Sequence, residues 1–337
     1  MRREPSAFTW LRRNLTETVT PRGRLRPNLH RLDVKDWICF EATGNGREHL
    51  LKKQEIFQSQ DLRSKHLLQF DGSQGPQQEV LELLLDHLPQ MYPEHFQVTP
   101  GFSTGKSRFG PETQVNIEMD DFKASYVIGD FKNFPLELAS RLVQEDLVLV
   151  EDGTVVAGSV LFSFSRFHER FGLNMDEIHK KVHQYQMDLE KPVNKIFASL
   201  SSDRPMWRSN WNISWSDDIL AGYSRYPHRN PGISPDERAA LFQEMRDKIA
   251  ERGLGGSAWL KVEYQTLRRL CNHPRVILFT VRTFLNSLDE LKGEPLAAKA
   301  LLQNLERLQT AEFRKYLGID DQYLFESLRG YVKTCVA

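Results

Sequence analysis

The chain predicts an α+β fold: an antiparallel β-sheet covered by helices, with helical extensions toward both ends. Three observations carry this. Apolar, β-rich runs at 147–150 and 155–164 meet across Asp152-Gly153, a dipeptide that supplies the positive φ angles of a tight hairpin turn. Residues 207–215 alternate, with Trp207, Ser209, Trp211, Ile213 and Trp215 on one face and Arg208, Asn210, Asn212 and Ser214 on the other. Helical periodicity flanks these strands, in Val80, Leu81, Leu84, Leu85 and Leu88 upstream and in Leu301, Leu302, Leu305 and Leu308 downstream.

Taken in order, residues 1–36 are basic, polar and punctuated by proline and glycine, and read as an extended N-terminal arm. Residues 37–134 read as a helical region packed on the core, with helices at 46–58 and 77–88 and a loop at 101–110. The core is expected over 135–290. It opens with a helix at 136–144 and the two strands joined at Asp152-Gly153. Helical patterns follow at 174–185 and 192–200, then the strand at 207–215, a long helix at 235–252 and strands at 258–267 and 275–285. A helical cover spans 291–337. With the helix at 235–252 set aside, the core runs strand–strand–helices–strand–strand–strand, the order of a PAS-type domain. Many α+β folds share that order.

At 337 residues the chain can bury a substantial core. Its 45 basic and 45 acidic residues cancel, so no net field favours nucleic acid or an anionic membrane. No basic stripe is interleaved with aromatics, and no apolar run approaches the roughly 20 residues that span a bilayer. Neither nucleic acid nor a membrane is an expected partner. Cys39, Cys271 and Cys335 are far apart and odd in number, against a disulfide framework and a cysteine-ligated zinc or iron–sulfur cluster. The N-terminus lacks the apolar core of a secretory signal. Its arginines (Arg2, Arg3, Arg12, Arg13, Arg22, Arg24, Arg26) leave a mitochondrial transit peptide open, but Glu4 and Glu17 count against it. A reducing cytoplasmic setting is expected.

Several residues are candidates for chemistry. His179 and His183 stand four apart on the helix expected at 174–185, so both imidazoles share one face. That spacing suits a metal pair, but no HExxH pattern or nearby cysteine supplies a third zinc ligand, and paired histidines on an amphipathic helix are more often surface residues. On the strand at 207–215 the polar row Arg208, Asn210 and Asn212 either lines a ligand pocket or is a solvated edge. On the next strand Lys261, Glu263 and Gln265 share one face, Val262, Tyr264 and Thr266 the other, and Arg268 and Arg269 close it. Arg282 lies among Leu278, Phe279, Val281 and Phe284, so it needs a carboxylate partner. Glu263 is the candidate for a structural ion pair, and a cofactor carboxylate is the alternative.

A set of segments shared with one known family changes these weights. The chain keeps Pro135-Leu136-Glu137, Val143-Gln144-Glu145-Asp146-Leu147, Ile178-His179, Val182, Arg208, Asn210-Trp211, Val262-Glu263, Gln265-Thr266-Leu267, Arg269-Leu270, Phe279-Thr280 and Arg282-Thr283. In this order they resemble the α subunit of the haem-dependent oxidative N-demethylases, closely through the middle of the chain and more loosely from Trp37. Departures lie beside the motifs. Lys181 and His183 replace two prolines, Tyr264 an arginine and Cys271 a proline, and 162–172 lacks an expected tryptophan and lysine.

The resemblance implies a b-type haem iron in a PAS-like domain, with His179 as axial ligand and His183 in reserve. Arg208, Asn210, Glu263 and Arg282 would be polar groups around it, Trp211 apolar wall, and Arg269 with Arg282 cofactor contacts. It implies a monooxygenase that uses O2 to hydroxylate an N-methyl carbon of a small amine, releasing formaldehyde, with Glu263 holding the cationic amine. No GxGxxG follows an expected strand, so electrons would come from a separate flavin and iron–sulfur reductase using NAD(P)H. A haem-binding PAS-type sensor or carrier, a haem enzyme of different reaction, and a member that has lost haem are the alternatives.

Overall fold

The computed structural model describes residues 6–14, 26–42, 45–103, 105, 107–119, 122–164, 166–180, 182, 184–220, 233–308, 314–315 and 317–336. Helix α1 (Ala7–Asn14) lies inside the stretch expected to be an extended arm and corrects that expectation. Ala7, Phe8, Trp10 and Leu11 recur at helical spacing and are all buried. The Trp10 ring stacks on Tyr264 with centroids 3.7 Å apart. Strand β1 (His30–Arg31) follows, then α2 (Asn45–Gln58), α3 (Gln60–His66), β2 (Leu67–Gln69) and α4 (Gln74–Met91). The row Val80, Leu81, Leu84, Leu85 and Leu88 forms the buried side of α4, as its period requires.

The region expected to be helical also carries a separate sheet. Strands β3 (Phe96–Thr99), β4 (Gln114–Met119) and β5 (Phe122–Val127) pair antiparallel in that order. Phe96, Val115, Ile117, Met119 and Phe122 point inward, while Gln97, Glu118 and Lys123 face solvent.

Helix α5 (Pro135–Leu142) leads into β6 (Asp146–Glu151) and β7 (Thr154–Ser159), joined by a turn in which Asp152 has φ 46° and Gly153 φ 85°. Two positive φ angles in succession define the hairpin turn whose twist matches the flanking strands. Strand β7 ends at Ser159, short of the expected 164, for an identifiable reason. The Asp146 carboxylate accepts the N–H groups of Leu161, Phe162 and Ser163, at 2.9, 2.9 and 2.7 Å, so these groups leave the sheet ladder.

Helix α6 (Met175–His179) begins with a capping box between Asn174 and Glu177 and is shorter than the expected 174–185. Gln184, with φ 59°, is left-handed and lets no helix continue through it. Then come α7 (Glu190–Ser199), β8 (Met206–Ser214), α8 (Pro235–Arg252), β9 (Trp259–Arg269), β10 (Val276–Ser287), α9 (Pro295–Arg307) and α10 (Gln322–Val336). A capping box from Ser234 to Glu237 starts α8, and Gly253 at φ 73° ends it.

The main sheet is antiparallel, in the order β1-β8-β9-β10-β6-β7-β2. Cross-strand register sorts its residues into two faces. On the core face Trp207, Thr266, Thr280 and Leu147 form one row, Ser209, Tyr264 and Arg282 the next, and Trp211, Val262 and Phe284 a third. This face is buried in the largest apolar cluster, which includes residues of α1, α4, α5, α9 and α10.

The second face is graded from one end to the other. Its first row, Met206, Leu267, Phe279 and Val148, is apolar. The next is Arg208, Gln265, Val281 and Asp146, then Asn210, Glu263 and Thr283, then Asn212, Lys261 and Leu285. Ile178 of α6 and Phe197 of α7 pack over the apolar end with Val148, Val160 and Phe167. Gly158 is needed there, because a Cβ would fall 2.3 Å from the Phe167 ring.

Candidate functional site

The site is built where α6 meets the graded face. His179 closes α6, and its Nδ1 lies 2.7 Å from the Met175 carbonyl oxygen. A carbonyl only accepts, so Nδ1 carries the proton and Nε2 keeps its lone pair. Burial pushes the His179 pKa below its ordinary value, and the charges of Arg208 and Arg170 add to this against the upward pull of the Met175 bond and Asp176. The ring is therefore neutral at pH 7. Ile178, the residue before His179, packs against the apolar end of the same sheet face.

The polar rows converge on Glu263. Its Oε2 accepts from Asn210 Nδ2 at 3.3 Å and from Gln265 Nε2 at 3.1 Å. Its Oε1 stands 3.9 Å from Lys261 Nζ, which donates to the Phe162 carbonyl at 3.1 Å. Around this carboxylate three buried polar atoms have no hydrogen-bond partner among the described residues: Asn210 Oδ1, Asn212 Oδ1 and Thr283 Oγ1. Leaving such atoms unpaired costs about 1–3 kcal/mol each, so the row suits a polar ligand group. Beyond Lys261, a cleft of about 500 Å³ opens between Trp259 and Leu285 at the sheet end and Glu48, Asp217 and Asp218 at its rim.

His179, Arg208, Asn210 and Glu263 are thus brought to one side of the sheet. Trp211 and Arg282 are on the other, which corrects two expectations. Trp211, next to Asn210 on β8, points into the main core. Arg282 is opposite Tyr264 and cannot pair with Glu263, which is opposite Thr283. Fully buried, it bonds instead to Glu41 Oε2 at 2.8 Å, to His49 Nε2 at 3.1 Å and to the Cys39 and Thr283 carbonyls. Arg269 donates to the carbonyls of Phe197, Leu200 and Pro274, tying β9 to the end of α7, so the structure gives it a scaffolding role. His183 lies outside the described residues. The helical face expected to carry it with His179 ends at His179.

The segment Gln144-Glu145-Asp146, noted in the sequence only as a resemblance, proves to be the brace behind the site. Gln144 grips Glu41 from both sides, accepting its N–H at 3.0 Å and donating to its carbonyl at 2.6 Å. Glu145 accepts the Cys39 N–H at 2.8 Å. Burial pushes the Glu145 pKa up, against the nearby charge of Arg282. Lys53 donates to the carbonyls of Ser140, Val143 and Glu145, and burial brings it down to about 8 despite Asp146 and Glu145.

The arrangement can seat a flat, amphiphilic cofactor that takes one imidazole on its metal. Among the described residues no group of three or more His, Cys, Asp or Glu forms a metal-ligating cluster. Fold and site together define an α+β protein with a neutral imidazole on the side of an antiparallel sheet that is apolar at one end and polar at the other. The chain belongs to the family described as haem-dependent oxidative N-demethylase, alpha subunit-like, whose model matches residues 28–322. The family is that of a haem-dependent oxidative enzyme subunit. Among the described residues no helix is long and apolar enough to cross a membrane.

The residues of this site fit a haem. The donor set is of the right kind: a neutral imidazole beside apolar side chains, with buried polar atoms that have no hydrogen-bond partner among the described residues on the same face of the sheet. Sequence reasoning missed Thr283 and Tyr185, and gave Lys261 and Asn212 a face but no role. The alternation that placed Glu263 also places Lys261 and Asn212, while Tyr185 left no periodic signal.

Proposed function

We propose that this chain is the haem-binding subunit of an oxygenase that removes an N-methyl group from a small amine. His179 Nε2 would hold the iron of a haem b, and Arg208 would meet a propionate with its planar fork. The haem would supply the oxygen-activating redox chemistry that hydroxylates the N-methyl carbon, whose product breaks down to formaldehyde and the shorter amine.

The protein's part is to bind and orient. Glu263 holds the substrate N–H at Oε1, the oxygen that Asn210 and Gln265 leave unused, and those two amides fix the carboxylate in place. Lys261 offsets its charge, so the pocket accepts a cation without stranding a buried anion when empty. The acidic rim of the cleft, with Glu48, Asp217 and Asp218, favours a cationic amine on its way in. Electrons come from a separate reductase with flavin, an iron–sulfur centre and NAD(P)H, in a cytoplasmic setting. The five long strands, numbered from β6, lie in the order 2-1-5-4-3, which supports the PAS-type reading.

The observation that carries this reading is the His179 ring, neutral and with Nδ1–H committed to Met175, so that Nε2 remains for a ligand bond. The test is reconstitution with haem, comparing the wild type with His179→Ala, and with His183→Ala as a check on the second histidine. A Soret band present in the wild type and lost or shifted in His179→Ala is expected. A folded wild-type protein that stays colourless with excess haem would overturn the proposal, and an unchanged His179→Ala spectrum would overturn the ligand assignment.

A further inference from the structure

The His179 ring is held in its plane as well as at one nitrogen. Tyr185, only 2 % exposed, stacks on it with centroids 5.0 Å apart and planes 14° from parallel. The Tyr185 hydroxyl donates to Asp176 Oδ1 at 2.9 Å, and Asn194 Nδ2 of α7 reaches both Asp176 oxygens, at 3.3 and 3.2 Å. Asp176 sits in α6 between Met175, whose carbonyl accepts the imidazole N–H, and His179 itself. Tyr185 starts a single π-helical turn, Tyr185–Leu189, just after left-handed Gln184, so the backbone takes two uncommon conformations to deliver this ring.

We propose that Tyr185, anchored by Asp176 and Asn194, is a positioning residue that fixes the plane of the His179 imidazole and so the direction of its Nε2 lone pair. This rests on the reading that Nε2 holds the iron. The Met175 bond alone leaves the ring able to swing about the Nδ1 contact. The stacked phenol removes that freedom, and its hydroxyl bond stops the phenol from sliding. The link through Asn194 ties the direction of the lone pair to α7, which covers the apolar end of the sheet. Groups that orient a metal-bound histidine in this way typically change metal affinity 10–100-fold when removed.

The test uses the full chain loaded with haem, in the variants Tyr185→Leu, Tyr185→Phe and His179→Ala. Three readouts apply: the iron–histidine stretching band of the ferrous protein by resonance Raman, the rate of haem transfer to an acceptor apoprotein, and the histidine ring ¹⁵N shifts of the cofactor-free chain. In Tyr185→Leu we expect a shifted, broadened band, haem loss on the order of tenfold faster, and loss of the ¹⁵N pattern of an Nδ1-protonated ring. Tyr185→Phe keeps the stack and loses the anchor, so it should keep the ¹⁵N pattern and show a broadened band.

A wild-type band in both Tyr185 variants, when His179→Ala abolishes that band, overturns the positioning role and leaves the ligand assignment standing. A band retained in His179→Ala overturns both. Should Tyr185→Leu fail to fold, Tyr185→Phe decides alone, and an unbroadened band there overturns the proposal.

Discussion

Replacing Asp146 with asparagine should loosen the wall of the site and cost stability that can be worked out from its bonds. The carboxylate is fully buried and accepts four hydrogen bonds, from the backbones of Leu161, Phe162 and Ser163 and from the Ser163 hydroxyl. In the best amide orientation the carbonyl oxygen takes over the three bonds at Oδ2, and the amide nitrogen then faces the Leu161 N–H. One stranded donor costs about 2 kcal/mol, and three bonds passing from a charged to a neutral acceptor lose about 1 kcal/mol each. Relief of burying the charge offsets part of that sum and leaves about 3 kcal/mol. At about 2 °C per kcal/mol for a large chain, Asp146→Asn should lower Tm by about 6 °C in a thermal melt followed by circular dichroism. Ser163→Ala, which removes only the hydroxyl bond, should cost about 1 kcal/mol. An Asp146→Asn protein melting within about 1 °C of wild type would refute the reasoning, because those N–H groups would then have other partners.

Two further outcomes are expected. His87 is buried beside Trp37, and burial together with the charge of Arg268 brings its pKa down from 6.5 to about 4. Between those values the unfolded chain binds a proton that the folded chain refuses, so stability falls as pH drops through that window, by about 3 kcal/mol in all. Urea unfolding at pH 7 and pH 4.5 should show a loss that His87→Gln reduces, and an equal loss in both proteins would contradict the assignment. Trp10→Ala should cost about 3–5 kcal/mol through the lost burial of the indole and the cavity it leaves against Tyr264. It should also expose α1 to limited proteolysis, and unchanged protection would show that the helix is held elsewhere.

The sequence disclosed periodic features well and contacts between distant segments poorly. Alternation put Arg208 and Asn210 on one face of β8, and Glu263 with Lys261 and Gln265 on one face of β9, because one-face burial leaves a period of two in the chain; that the two rows share a side came from the register. The same reading went wrong at Arg282. Its true partner, Glu41, is remote in sequence, and a strand pattern does not say which neighbour's face is shared. Helix α1 was hidden because its short apolar stripe stands among arginines and prolines. The strands β3 to β5 alternate cleanly but are too short to announce themselves between loops. The end of β7 at Ser159 was illegible in principle, since it is set by a side chain of the preceding strand.

The main sheet is bordered by β1, two residues long, and β2, three residues long. An exposed strand presents rows of unpaired donors and acceptors to any passing chain. Strand β1 pairs only with Met206 and Trp207 of β8, and near the other end of β8 the Ile213 N–H donates to the Leu317 carbonyl at 3.0 Å, so the outer edge of β8 is tied toward both ends by short contacts rather than by a full partner strand. With partners this short on its flanks, the sheet draws its register from the long β8–β9 and β9–β10 ladders, the same ladders that carry the graded face.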